Sequence, residues 1–190
     1  MANREIEIKV KIEKYQKLIA FLQKKAQFVS KKHQVDEYFT PQHRNFLSPR
    51  PVKEWLRLRK SKDEFYITYK KWHYTKSGRT HYGEEQEVQI GNLERLREIL
   101  KALNFESVVT VDKQRQVWTH QNWEICLDEV KGLGNFVEIE SKGKSTKKPA
   151  EITKEMISFL KEIGCGEIER SYDSYPFQLL FPKEIKFEKQ

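Results

Sequence analysis

The chain has 190 residues, 37% hydrophobic and 34% charged, which is enough for one domain with a sizeable core or at most two small ones. Its formal net charge of +8 favours an anionic partner, so nucleic acid, phosphorylated small molecules and acidic membranes all fit. Two cysteines, Cys126 and Cys165, exclude a disulfide framework and have no zinc-type spacing. No apolar run approaches the roughly 20 residues needed to span a bilayer, and the N-terminus enters a charged strand with no signal-peptide pattern. A cytoplasmic protein is expected.

Glu5-Ile6-Glu7-Ile8-Lys9 opens a predicted strand, Glu5–Ile12. Its period of two puts Glu5, Glu7 and Lys9 on one face and Ile6, Ile8 and Val10 on the other. A helix over Lys14–Gln27 follows, with Leu18, Ile19, Phe21 and Leu22 on its apolar stripe. Next come a short strand, Val35–Thr40, and a loop rich in Pro, His and Arg, Pro41–Pro51. Strands Glu54–Lys60 and Glu64–Lys71 lead to a basic, aromatic loop, Trp72–Gly83, with Ser77-Gly78 as its turn signal. Strand Glu84–Ile90 precedes a helix over Leu93–Leu103 with Asn92 as N-cap. Three strands, Val108–Trp118, Asn122–Asp128 and Val137–Ser141, precede a helix over Ala150–Ile163 that starts after Pro149 and stops at Gly164. No long linker interrupts the series, so a single domain over 1–190 is expected.

Sorting the strand residues by parity separates charge from hydrocarbon. Arg57 and Arg59 lie opposite Leu56 and Leu58, and Lys70 shares a face with Tyr66 and Thr68. Glu85 and Glu87 oppose Val88 and Ile90, Glu124, Cys126 and Asp128 oppose Ile125 and Leu127, and Glu138 and Glu140 oppose Val137 and Ile139. Lys113 and Arg115 share a face of their strand. One such face is most simply solvated. Here the faces sort into acid pairs on some strands and base pairs on others, and three helices offer apolar stripes to cover the aliphatic side. The expectation is an α+β fold whose charged faces turn inward in a closed or nearly closed antiparallel barrel. Such a lumen must be wet or filled, because unpaired buried charge is costly. Carboxylates bind hard cations such as Mg²⁺ or Mn²⁺, and Arg and Lys bind phosphate oxygens. A metal-bound polyphosphate satisfies both sets; mutual ion pairing alone is the structural alternative.

These residues resemble the CYTH proteins, or triphosphate tunnel metalloenzymes. The marks are Glu5-x-Glu7-x-Lys9, Arg57-x-Arg59, Lys70, Glu85-x-Glu87, Lys113-x-Arg115 and the run from Asp128 through Lys131-Gly132-Leu133-Gly134 to Glu138-x-Glu140. Val111-Asp112-Lys113-Gln114-Arg115 and Glu169-Arg170-Ser171-Tyr172 leading to Leu179-Leu180 look most like the class IV adenylyl cyclases, with Asp173–Gln178 lengthening the segment. The resemblance implies an eight-stranded antiparallel closed β-barrel, the triphosphate tunnel, with helices outside. It implies Mg²⁺ or Mn²⁺ held by Glu5, Glu7, Asp128, Glu138 and Glu140, and triphosphate held by Lys9, Arg57, Arg59, Lys70, Lys113 and Arg115. Lys9, Lys113 and Arg115 fall at the reacting region, and Glu85 and Glu87 form a supporting acidic lining.

The implied activity is a cyclase converting ATP to cyclic AMP and pyrophosphate, with a triphosphatase acting on inorganic, thiamine or nucleoside triphosphate as the alternative. Binding of RNA ends or polyphosphate without turnover is a further reading, through the Trp72–Gly83 loop, whose aromatics among lysines could stack on bases. The inward carboxylates argue against nucleic acid. No membrane partner is expected, and a homodimer is compatible with the sequence. His33, His43, His73, His81 and His120 are scattered and read as surface or loop residues. Tyr172, Tyr175 and Phe177 read as closing one mouth of the barrel or as packing.

Overall fold

The computed structural model describes residues 3–75, 80–143 and 146–190, with the side chains of 3–5, 80 and 81 outside the description. Strands β1 (Asn3–Glu5) and β2 (Glu7–Ile12) are interrupted only at Ile6, and helix α1 (Tyr15–Lys25) follows. The sheet continues with β3 (Gln27–Pro41), β4 (Glu54–Ser61), β5 (Glu64–Tyr74) and β6 (Thr80–Ile90). Helix α2 (Leu93–Ala102) leads to β7 (Phe105–His120), β8 (Trp123–Val130) and β9 (Gly134–Ser141). Helix α3 (Pro149–Ile163), β10 (Ile168–Ser171), α4 (Tyr175–Leu180) and β11 (Phe187–Lys189) complete the fold.

The strands pair antiparallel in the order β1-β6-β5-β4-β3-β7-β8-β9-β2-β10-β11. The expected closed eight-stranded barrel is corrected in two respects. The hydrogen-bonded order is open, and it holds eleven strands, or ten when β1 and β2 count as one interrupted strand. The physical reason lies at Ile6. Before it, Glu5 pairs with Gly83 of β6; after it, Glu7 pairs with Glu140 of β9. The ladder therefore breaks at Ile6, whose carbonyl instead accepts from the Ser141 N–H at 2.9 Å. Because the same chain segment borders both β6 and β9, the sheet curls upon itself and its inward face encloses a cavity.

Alternation decides what each face does. Ile8, Val10, Ile125, Leu127, Val137 and Ile139 point outward and are buried beneath Leu18 and Leu22 of α1 and Ile152, Met156 and Leu160 of α3. Leu56 and Leu58 of β4 pack against Leu100 of α2. The helices are set locally by their ends. Asn92 accepts from the Arg95 N–H at 2.8 Å, Glu151 accepts from the Lys148 N–H at 3.1 Å, and Gly164 closes α3 at φ 78°. Gly164 takes that left-handed conformation without a Cβ penalty.

Three readings of the sequence change. Strand β3 begins at Gln27 rather than Val35 and pairs with β7 along its length. Its first half is mostly solvent-exposed, so it carries no apolar alternation to betray it. The expected loop at Trp72–Gly83 is largely hairpin, since Trp72 pairs with Gly83 and His73 with Tyr82; the expected turn signal Ser77-Gly78 lies outside the described residues. The elements β10, α4 and β11 have no counterpart among the predicted ones. Among the described residues, no helix is long and apolar enough to cross a membrane.

Met156 of α3 is fully buried under the outer face of the sheet. Met156→Ala leaves a cavity there and costs about 2–5 kcal/mol. The expected result is a lower urea midpoint with an unchanged slope.

Candidate active site

The enclosed cavity has a volume of about 230 Å³. Seven Lys or Arg side chains and six Glu side chains line it. Every expected site residue whose side chain is described reaches this cavity or sits directly behind it. From β2 come Glu7 and Lys9, from β4 Arg57 and Arg59, from β5 Lys70, from β6 Glu85 and Glu87, from β7 Lys113 and Arg115, and from β9 Glu138 and Glu140. The side chain of Glu5 lies outside the described residues.

Two buried aspartates organise the cations from behind. Asp128 is 0% exposed. It accepts from Arg115 Nε at 2.6 Å, from Lys113 at 3.3 Å and from the Tyr175 hydroxyl at 2.9 Å. Burial alone would raise its pKa, but the charges of Arg115 and Lys113 outweigh it and hold the carboxyl below its usual value. Asp128 is one of the expected metal ligands, and in this structure its oxygens meet two cations and a phenol. Asp36 is 1% exposed and grips Arg59 through two bonds of 2.6 Å, with Arg57 at 3.7 Å. Burial again opposes ionisation, and the Arg59 charge and hydrogen bonds overcome it, so Asp36 titrates well below its usual value.

The remaining acids divide into two groups. Glu85 lies 3.8 Å from Arg57 and 3.5 Å from Lys70, while Glu87 lies 3.4 Å from Arg57. These pairs orient the cations of β4 and β5. The other group is a cross-strand row. Glu140 of β9 stands directly between Glu7 of β2 and Glu124 of β8 in the ladder. Lys142 spans Glu140 at 2.7 Å and Glu124 at 3.4 Å, and Lys70 reaches Glu7 at 3.5 Å. Glu138, next along β9, contacts Arg115 and lies 3.7 Å from Lys9. Burial would raise the pKa of Glu138, but Arg115 and Lys9 hold it well below the carboxylate range.

Among the described residues, no three acidic, His or Cys side chains already converge as a cation cage. The donor chemistry of the row nonetheless fits a hard divalent ion, since it is all carboxylate oxygen on adjacent strands. The Lys142 ammonium already bridges two of its members, as a cation would.

Sequence reasoning missed Asp36, Lys142 and the ordered approach of Tyr175. Asp36 lies inside the strand read at Val35–Thr40 and alternates with Tyr38, but Glu37 puts a second acid on the opposite face, so parity does not separate charge from hydrocarbon there. Tyr175 enters from α4, capped by Ser174. Its ring faces Lys9 Nζ at 4.3 Å and Lys113 Nζ at 5.1 Å. The buried Gln178 amide fixes the preceding turn by donating to Ser171 Oγ at 3.2 Å and to the Asp173 carbonyl at 3.0 Å. Of the histidines, His33 and His43 are exposed, and His73 stacks on Tyr82 in the β5–β6 hairpin.

An antiparallel sheet, apolar outside and enclosing an inward array of paired cations and carboxylates, defines the class of the protein: a charged-cavity α+β fold. The chain belongs to the CYTH family, since the family model described as CYTH domain matches residues 3–172. It is 35% identical over 172 residues to a Methanocaldococcus jannaschii protein named "putative adenylate cyclase", covering 88% of this chain and 95% of that one. A solved structure from Pyrococcus horikoshii is similar with a TM-score of 0.76 at 28% identity, covering 95% of this chain and 99% of the other. The "putative adenylyl cyclase" of Hippeastrum, described as having a dominant triphosphatase activity, shares the fold with a TM-score of 0.65 at 20% identity, covering 96% and 97%.

Asp36→Ala leaves the Arg59 guanidinium buried without its acceptor and is expected to cost about 3–5 kcal/mol in unfolding free energy. The pH effect follows from the lowered pKa. The carboxylate contributes fully above the unfolded value and loses its contribution as pH falls through the lower native value. Acid unfolding curves should therefore show less dependence on low pH in Asp36→Asn than in the wild type.

Proposed function

We propose that the protein is a divalent-metal-dependent enzyme acting on a triphosphate, with conversion of ATP to cyclic AMP and pyrophosphate as its reaction. The observation that carries this reading is the balance of charge in the cavity. Seven lining cations face six lining glutamates, and Asp36 and Asp128 stand behind them. The described lining is therefore close to neutral. A triphosphate entering it adds several negative charges in a site of low dielectric, so it must bring cations with it. The glutamate row Glu7, Glu140 and Glu124, with Glu138 and Glu5, would hold Mg²⁺ or Mn²⁺, which would neutralise phosphate charge and polarise the phosphoryl oxygens when bound.

The chain's own residues do the positioning. Arg57 and Arg59, fixed by Asp36, and Lys113 and Arg115, fixed by Asp128, present preorganised donors to phosphate oxygens. Lys9 and Lys70 complete the array beside the acid row. In cyclisation the ribose 3′-hydroxyl gives up its proton to solvent, its oxygen bonds to the α-phosphorus, the bond from that phosphorus to the bridging oxygen breaks, and pyrophosphate carries the released charge into this cationic array. Asp128 is assigned to holding Arg115 and Lys113 in place, and Tyr175 to holding Asp128.

The cyclase reading follows the 35% identical relative with that name. The second reading, hydrolysis of a terminal phosphoryl group, is favoured by the Hippeastrum description and would use the same donors. Incubation with Mg²⁺ or Mn²⁺ and, separately, ATP, thiamine triphosphate and tripolyphosphate distinguishes them. Cyclic AMP with pyrophosphate is expected; orthophosphate release selects the triphosphatase. Glu7→Ala and Glu138→Ala should each lower turnover by about a hundredfold or more, and full activity in both would overturn the site.

Burial first, and the neighbouring Arg115 charge second, bring the Lys113 amine down to about 8, against the pull of Asp128. Above that pH the amine is neutral and the cavity loses one positive charge. Affinity for tripolyphosphate should fall as pH rises through about 8. Lys113→Arg, whose guanidinium stays charged, should flatten that fall in a binding titration.

A further inference from the structure

We infer that Trp72 is the seat for a planar aromatic ring carried on the triphosphate, so that the cavity selects a ring-bearing triphosphate over inorganic tripolyphosphate. The inference rests on the triphosphate reading above and adds the part of the ligand that the charges do not explain.

Inorganic tripolyphosphate presents only oxygen, and cations suffice to recognise it. This cavity also carries an aromatic sector, with Trp55, Trp72 and Tyr175 in its wall. Trp55 is buried with its ring edge-on to Tyr38 at 5.6 Å, and Tyr175 is buried against Phe136 at 5.1 Å. Among the described aromatic residues lining the cavity, Trp72 alone is not buried. Trp72 packs against the same cluster at part of its surface and leaves the rest accessible.

The strands around it are built to keep the ring in position. Trp72 of β5 stands opposite Gly83 of β6 in the ladder. Gly83 has no left-handed backbone to explain it; its reason is space. A Cβ there would lie 3.2 and 3.3 Å from two atoms of the Trp72 ring and 3.0 Å from Lys70 Cε. A glycine inside a strand marks just such a close approach. The ring therefore lies close against β6, and a side chain at that position would make it shift by a few tenths of an ångström. Lys70 Nζ lies 4.2 Å from the ring centroid and 3.5 Å from Glu7.

Lys70 and Trp72 are two residues apart on one strand face, about 6.6–6.8 Å along the sheet. A phosphate at Lys70 thus has an aromatic surface one side-chain step away. Trp72 also forms the corner between the main cavity and a side pocket of about 20 Å³, which it lines with Glu7, Lys9, Ser171, Tyr172 and Ser174. That volume suits one water or hydroxyl, so the ring itself stacks on Trp72 in the main cavity.

The test is equilibrium binding of ATP, thiamine triphosphate and tripolyphosphate to the full chain, by dialysis in the cold with Ca²⁺ as cation. In Trp72→Ala the affinity ratio of a ring-bearing ligand to tripolyphosphate should fall about tenfold, and Trp72→Phe should restore most of it. Gly83→Ala, which keeps Trp72 but displaces its ring, should lower the same ratio. A fall for either ring-bearing ligand supports the seat, and which one falls identifies the ring. An unchanged ratio, or equal losses for all three ligands, overturns it and leaves the triphosphate reading standing. A wild-type protein that binds none of the three overturns the triphosphate reading and the seat with it.

Discussion

Asp128 is the contact on which the inner architecture turns. A fully buried carboxylate is tolerated only when its charge and lone pairs are met, and here Arg115, Lys113 and the Tyr175 hydroxyl meet them. The same contact fixes two cations of β7 and ties α4 to the sheet. Asp36 performs the matching task on β3 and β4, with Arg59 in a two-bond grip and Arg57 beside it. The cations facing the cavity are thus held by two acids on the same inward sheet faces that are themselves buried. Donors positioned in this way need little rearrangement when an anion arrives, which is the arrangement that lowers barriers in phosphoryl chemistry.

The local charge balance separates the cavity from the surface. The chain carries +8 overall, yet the described lining and its two buried aspartates come close to cancelling. The net positive charge therefore lies elsewhere on the molecule and attracts anions only at long range. Inside, the charges are sorted by strand. The cations of β4, β5 and β7 and the acid row of β2, β8 and β9 occupy different strands, so an anion and a hard cation can each meet their own partners. A cavity built only for mutual ion pairing would gain nothing from that segregation.

Most of this was legible because strand parity is a strict rule. Arg57 and Arg59 against Leu56 and Leu58, or Glu138 and Glu140 against Val137 and Ile139, assign their faces without any tertiary information, and α1, α2 and α3 supply the outer cover. What was not legible depends on long-range placement. The exposed half of β3 carries no apolar period, so its start was missed, and Glu37 opposite Asp36 left the predicted part of that strand with an acid on each face. The break at Ile6 arises because one segment meets β6 before it and β9 after it, a fact of sheet closure rather than of local sequence. Asp128 carries the acidic character of a metal ligand in the sequence; only its neighbours show that its oxygens are already engaged. Trp72 looked like part of a solvated basic loop because the hairpin extends farther than its composition suggests.

The lengthened segment before Leu179 and Leu180 gains a physical role from α4. It returns Tyr175 to the cavity, and Lys9 both faces that ring and donates to the Asp173 carbonyl at 3.1 Å. Lys9 is therefore shared between the acid row, through Glu138, and the helix that closes this side of the cavity. Arg50, from the segment between β3 and β4, lies over the Phe181 ring at 4.2 Å and pairs with Glu184 at 3.1 Å, holding the far end of α4. One ammonium group therefore joins the acid row to the turn that seats α4.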